Sequence, residues 1–306
     1  MRAGAVRLLT RHYAKLCDIE DFADAAMLRR IAEILPERDP SQHVERKAWE
    51  FAVLTQVLED MGKLNRRTTA LAVGAGNERI LFWLANRLRK VVATDIYGEG
   101  DFEHHEADPS MLRNPGAHAP YEYDADRLDV RWMDARSLAF EDASFDVVFS
   151  LSSFEHFGSP ADKAAAAREM GRVLRPGGCA VVITECFVRR HPLNAAPIDF
   201  LIRLGTAGRK RRAATPRRRG YLDEVFTPSE LQRLIVDPSG LELMQPLELG
   251  LSPETWSNVA RQVADHEVRP RTESYYPHIL VQVDRSVFTS VCLPLSKRSA
   301  VPAGIC

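Results

Sequence analysis

Several absences narrow this sequence before any motif is considered. No apolar run approaches the roughly twenty residues that a membrane-spanning helix needs, which excludes a helical span. The five cysteines (Cys17, Cys179, Cys186, Cys292, Cys306) show no C-x-x-C spacing. Cys179 and Cys186 fall in an apolar run and read as buried thiols. Net charge is almost nil: 41 basic against 42 acidic residues leave −1, so the molecule as a whole makes no electrostatic case for nucleic acid. The opening MRAGAVRLLTRHYAKL is basic but lacks the apolar core and cleavage site of a secretory signal, and the chain reads as cytoplasmic. His104-His105-Glu106 with Asp108 matches no metal-ligand spacing, so no metal is expected and a solvated loop over the sheet is.

What is present fits an ordinary globular chain. It has 306 residues, 45% of them apolar and 27% charged, enough for one large α/β domain with additions or for two small domains. The organising stretch is TTALAVGAGNERILFWLANRLRKVVATD, Thr68 to Asp95. A β-prone run ends at Val73 and turns through Gly74-Ala75-Gly76. A helical pattern follows with Ile80, Leu81, Leu84 and Leu88 on one face, then a second β-prone run that stops at Asp95. This is strand, glycine turn, helix, strand, acid, the layout of a nucleotide-binding βαβ half. Glycines let the backbone pass close to a ligand, and the helix start offers unpaired N–H groups to an anion. Asp95 stands where a carboxylate can accept from a ribose diol. The third glycine of the dinucleotide fingerprint is missing, Arg79 standing in its place.

The remainder predicts alternating strands and helices. Two N-terminal helices are expected within 20–64. The first is broken by Pro36. The second is capped by Asp39-Pro40-Gln42 and carries the stripe Val44, Ala48, Phe51, Thr55, Leu58. These helices pack on the sheet or cover its edge, or form part of a substrate lid. Strands are expected at Arg127–Met133, ending at Asp134-Ala135, and at Ser144–Ser150. Ser159-Pro160 starts an alanine-rich helix, Pro176-Gly177-Gly178 turns the chain, and Cys179–Cys186 is a buried strand. Thr227-Pro228-Ser229-Glu230 is a capping box. Leu241–Leu249 reads as a strand, Glu254–His266 as a helix, and His278–Val283 with Val287–Leu293 as a hairpin or one bent strand. The fold class is therefore α/β, a doubly wound, mostly parallel sheet.

Residues 187–225 break this rhythm. Seven of the eleven residues from Arg209 to Arg219 are basic. Such a run is a solvated segment, or a lid that attracts an anionic substrate. No aromatic residue is interleaved for base stacking, which speaks against nucleic acid.

Four features in order carry a more specific likeness: VGAG at Val73–Gly76, Asp95, Asp134, and FDVVFSLSSFEHF before a helix that runs into RVLRPGG. In these the chain resembles the class I S-adenosylmethionine-dependent methyltransferases of the type 11-like group, over about Thr68 to Glu185. The resemblance implies a seven-stranded Rossmann-like sheet at 65–295, preceded by a helical extension at 1–64, with a basic insertion or lid at 187–225 and a tail at 296–306. It further implies that Gly74, Ala75 and Gly76 border the methionine portion of the cofactor. Asp95 would bind the ribose hydroxyls, Ile96 would lie against the adenine, Asp134 would accept from its amino group, and Ala135 would offer a backbone N–H. Ser150 and Leu151 would face the ammonium through their carbonyls. The family often places an acid two residues before the first glycine; here that position is Ala72, and Glu78 in the neighbouring turn is the substitute for the ammonium contact.

A sulfonium methyl is already activated, so transfer asks for alignment and exclusion of water, plus a base where the acceptor is a hydroxyl or protonated amine. His156 and Glu155 are the candidate bases. Glu185, Arg209, Lys210, Arg211 and Arg212 are the candidate substrate contacts. The acceptor is read as a small molecule or glycan precursor, anionic if the basic run grips it; the reaction's product would be S-adenosylhomocysteine. Two other classes stay open: a catalytically silent partner or regulatory protein of the same fold, and an NAD-dependent oxidoreductase, which the absent third glycine and RPGG disfavour. The sequence assigns no oligomeric state.

Overall fold

In a computed structural model, the described residues are 9–42, 44–100, 107–191, 204–205, 222–264, 267–269, 278–283 and 285–298. The basic run and the His104–Glu106 cluster therefore lie outside the described residues. Among those described, ten strands make one mixed sheet. Strands β1 (Thr69–Val73), β2 (Lys90–Asp95), β3 (Leu128–Trp132), β4 (Phe145–Leu151) and β5 (Leu174–Arg189) come first in the chain. They are followed by β6 (Glu242–Leu243), β7 (Val259–Ala264), β8 (Glu267–Arg269), β9 (Leu280–Val283) and β10 (Ser286–Ser296).

The spatial order is β3-β2-β1-β4-β5-β10-β9-β7-β8, with β6 on β10. From β3 to β5 every neighbour is parallel. β10 then runs antiparallel to β5, β6 and β9. The doubly wound core is as the sequence implies, but the sheet exceeds seven strands and its far half is largely antiparallel.

Helices cover both faces. On one lie α1 (Ala25–Ile34), α2 (Arg46–Asp60) and α3 (Arg79–Ala85), sharing a core with the outward residues of β1, β2 and β4. On the other lies α4 (Pro160–Val173), packed with Leu231, Leu234 and Ile235. α2 is buried on all sides from Ala48 to Leu58, not along one stripe. Side chains such as Trp49, Phe51, Leu54 and Leu58 each contribute about 1.5–3 kcal/mol on full burial, which makes this helix a central pillar. Gly171 lets α4 approach its neighbour: a Cβ there would lie 1.9 Å from the Ser239 carbonyl oxygen. Both capping boxes, Ser159/Asp162 and Thr227/Glu230, are formed.

Three local expectations are corrected. α2 starts at Arg46, not at Pro40, because the chain first pairs with the strand region around His278: His278 N–H donates to Val44 O and Arg46 N–H to His278 O. Asp39 instead accepts from the Ser41 N–H and hydroxyl, a local turn that competes with helix. The expected helix at Glu254–His266 is confined to Pro253–Ser257. The β-branched residues beyond it join the sheet as β7, where Val259 pairs with Leu280; His266 lies outside the described residues. The strand expected over Leu241–Leu249 shrinks to β6, since Pro246 has no N–H to continue a ladder. The RPGG segment is a bulge within β5: Phe145 pairs with Leu174 and Val147 with Cys179, so the extra residues loop out.

Candidate active site

The strand order reverses between β1 and β4, and the carboxyl ends of parallel strands at such a point frame a crevice. A small cavity lies here, bordered by the turn after β1, the end of β4 and Glu78. Gly74 and Gly76 both have positive φ, +65° and +49°. At Gly74 there is also no room for a side chain: a Cβ would lie 2.6 Å from Ser153 Cβ and 2.9 Å from the Phe157 ring. The Ser153 hydroxyl reaches the Gly74 carbonyl at 2.7 Å and the Leu151 carbonyl at 3.1 Å, stitching the two strand ends together.

Asp95, at the end of β2, faces the glycine turn. Its Oδ2 accepts from Gly76 N–H at 2.8 Å and its Oδ1 from Ile96 N–H at 2.7 Å. Burial lifts its pKa above the ordinary carboxylate value, against the pull of those two donors. Beside it Tyr97 donates to the Gly76 carbonyl at 2.8 Å. Asp134 follows β3, whose next residue, Met133, donates to the Asp95 carbonyl at 2.9 Å. The Arg136 guanidinium grips Asp134 and holds its pKa down. Ala135 is buried. Ser150 is fully enclosed, and its hydroxyl has no hydrogen-bond partner.

A second group gathers beyond β4 and β5. Glu155 and His156 stand in a one-turn helix, Phe154–His156. Glu155 is buried and accepts from the Thr184 hydroxyl at 2.6 Å; burial raises its pKa. His156 Nδ1 lies 3.1 Å from Glu224. Burial alone would lower the imidazole's pKa, but Glu224 and Glu155 outweigh it and the net shift is upward. Glu185, on β5, pairs with Arg46 at 2.7 Å. The candidate residues Arg209, Lys210, Arg211 and Arg212 lie outside the described residues.

Several residues at this edge escape a reading of the sequence. Arg46, Lys47 and Glu50 all come from α2. Lys47 bridges Glu78, at 2.8 Å, and Glu50, at 3.1 Å. Glu50 is 1% exposed and accepts hydroxyl hydrogen bonds from Ser152 and Ser290, each at 2.7 Å. A usable signal existed: Glu50 is a lone acid inside WEFAVLTQVL, an apolar run where a charge is costly unless paired. Glu224 gave no comparable signal. Glu78 occupies the N-cap of the seven-residue α3, so a carboxylate stands where the sequence suggested an anion site.

Residues 71–182 match the family described as methyltransferase domain. Over these residues the chain carries a methyltransferase domain. Among curated proteins, it is 29% identical to a ubiquinone biosynthesis O-methyltransferase of Roseobacter denitrificans, over 49% of this chain and 56% of that one. It is 49% identical to a 2-methyl-6-phytyl-1,4-hydroquinone methyltransferase of Synechocystis, over 20% of this chain and 19% of that one. The chain thus spans little more than half, or less, of the relatives it matches. Among solved structures, the YcgJ protein of Bacillus subtilis aligns at 15% identity and a TM-score of 0.49, over 82% of this chain and 99% of its own. In the methyltransferase domain the matched segment holds the glycine turn, Asp95, Asp134, β4 and the RPGG bulge.

The residues present fit the family's cofactor. Gly74, Ala75 and Leu151 line the cavity, and Ser150, which also borders it, leaves an orphaned hydroxyl. Two acids, Asp95 and Asp134, end adjacent strands. Among the described residues, no group of three metal-binding side chains is gathered and no helix is long and apolar enough to cross a membrane.

Proposed function

We propose that this chain transfers a methyl group from S-adenosylmethionine to a hydroxyl of a small organic acceptor. The observation that carries the reading is the Asp95 carboxylate, buried at the end of β2 and held toward the glycine turn by Gly76 N–H. Asp95 would hold the ribose hydroxyls, with Ile96 on the adenine, Asp134 and Ala135 at its polar edge, and Gly74–Gly76, Ser150 and Leu151 around the methionine portion. When bound, the cofactor supplies an activated methyl on a sulfonium, whose transfer needs alignment and dryness more than covalent help. The pillar helix α2 and the buried end of β4 would help keep water from that edge.

A hydroxyl acceptor loses a proton as it gains a methyl, and His156 would receive it, with Glu224 orienting the ring. Support for oxygen as the acceptor atom also comes from the names of relatives, two of which are O-methyltransferases by title, of ubiquinone biosynthesis and of tocopherol. The basic run Arg209–Arg212, which would favour an anionic or glycan-type acceptor, lies outside the described residues and adds no geometry to that choice.

Titration calorimetry with S-adenosylhomocysteine, followed by turnover on a panel of hydroxylated aromatic acceptors, tests the reading. Micromolar binding with methylation of any acceptor supports it. Binding without turnover on any acceptor favours the silent partner, and no binding overturns it.

A further inference from the structure

Resting on the proposed cofactor, the next question is what receives the charged amino-acid end of such a ligand. The carbonyls of Gly74 and Leu151 are engaged by the Ser153 hydroxyl. Position 72, two residues before the first glycine, is alanine and brings no carboxylate. The same rim nevertheless holds a charged cluster that the fold of the sheet does not require. Lys47 stands between Glu78 and Glu50, 2.8 Å from one and 3.1 Å from the other. Glu78 borders the cavity. Glu50 is tied through Ser152 to the strand end that forms the opposite wall.

We infer that Lys47, Glu50 and Glu78 form a receptor for the zwitterionic head of the methionine portion, so that the N-terminal helix α2 completes the cofactor site. The chemistry is an exchange of like for like. A cation between two carboxylates marks a place where an ammonium is stabilised, and the Lys47 ammonium is itself a partner for a carboxylate. An incoming amino acid brings one of each. Its ammonium takes up the acceptor oxygens of Glu78 and Glu50 while Lys47 turns to its carboxylate, and the charge of the rim is conserved.

Further features of the cluster support this. Glu50 Oε2 is enclosed and meets the Lys47 ammonium as an ion pair at 3.1 Å. If Lys47 turns away, another cation must take its place, since a buried carboxylate oxygen left unpaired is costly. Glu50 is held in place from two sides, by Ser152 and by Ser290 of β10, so the carboxylate is preorganised. The Lys47 ammonium keeps its proton firmly: burial works against the charge, but Glu50 and Glu78 outweigh it. Lys47 and Glu78 are also more open than Glu50, with side chains 35% and 24% exposed against 2%, so the bridge can be reached from outside and opened.

The experiment compares two ligands on the full chain by titration calorimetry. S-adenosylhomocysteine carries the amino-acid head, whereas 5′-methylthioadenosine keeps the adenosine and lacks it. Glu78→Gln and Lys47→Met are each expected to weaken S-adenosylhomocysteine binding at least tenfold and to leave methylthioadenosine within twofold. Lys47→Arg, which keeps the charge, restores most of the loss. Methylthioadenosine binding also shows that each variant is folded around its adenosine pocket. Unchanged S-adenosylhomocysteine affinity in both variants overturns the inference while leaving the cofactor reading intact, and so does an equal loss for both ligands. If the unaltered chain binds neither ligand, the cofactor reading itself fails and the inference falls with it.

Discussion

The Arg46 guanidinium lies 2.7 Å from the Glu185 carboxylate and joins the first turn of α2 to the carboxyl end of β5, with both side chains largely buried. The same guanidinium lies over the Phe288 ring at 5.2 Å, so it touches β10 as well. Removing one partner of a buried pair strands the other charge, at a cost of about 3–5 kcal/mol. Arg46→Met is therefore expected to lower stability by about 3 kcal/mol in urea unfolding. The double variant Arg46→Met/Glu185→Leu should cost less than Arg46→Met alone. An equal or larger loss in the double variant would show that the pair does not carry the coupling.

Asp95 and Asp134 differ in what they give up to a ligand. Asp95 is enclosed and bound to backbone N–H groups, whereas Asp134 is part-exposed and held by Arg136. Asp95→Ala is expected to weaken S-adenosylhomocysteine at least thirtyfold, and Asp134→Ala by about three- to tenfold, as hydrogen bonds to charged groups contribute about 1.5–3 kcal/mol before screening reduces the exposed one. Calorimetry on the two variants checks the order. Affinity unchanged in both would remove the adenosine from this crevice.

Gly74 tests the turn itself. Gly74→Ala combines a positive φ with a Cβ that has no space, and overpacking of this kind costs about 1–3 kcal/mol. A fall of about 5 °C in Tm is expected for a chain of this size. Gly250→Ala, where nothing lies within 4 Å of the added carbon, should leave Tm unchanged and serves as the control.

The imidazole of His156 gives a pH signature. Its folded pKa is raised by Glu224 and Glu155 against burial. The stabilisation from the charged pair is thus full below the unfolded value of about 6.5 and is lost as pH rises through the higher folded value. Glu224→Gln should accordingly cost more stability at pH 6 than at pH 9. With His156 as proton acceptor, turnover rises with pH through its folded pKa, and Glu224→Gln moves that limb to lower pH. A limb that stays in place would separate His156 from the proton.

The elements that repeat at short range were legible in the sequence. Val73-Gly-Ala-Gly fixes a turn because the strand before it and the helix after it have different periods, and the caps at Ser159 and Thr227 state their own boundaries. Asp95 could be found because it closes a strand. The start of α2 was hidden because its first turn is decided by a bridge to His278, more than two hundred residues away in the chain. The N-terminal share of the site was hidden for the same reason. Lys47 and Glu50 acquire meaning only from Glu78, Ser152 and Ser290, which no spacing in α2 reveals. β7 was misread because a helix does begin at Pro253, and nothing local marks where the chain leaves it to pair with β9.

β10 arrives near the end of the chain yet is seated in mid-sheet, against β5 on one side and β9 and β6 on the other. It also pairs with the first described residues: Cys17 N–H donates to Ser290 O and Cys292 N–H to Lys15 O. A nascent chain must therefore hold residues 15–17 and the apolar edge of β5 unsatisfied until β10 has been synthesised. That ordering implies slow, high-contact-order folding and an aggregation-prone intermediate whenever elongation stalls before residue 286.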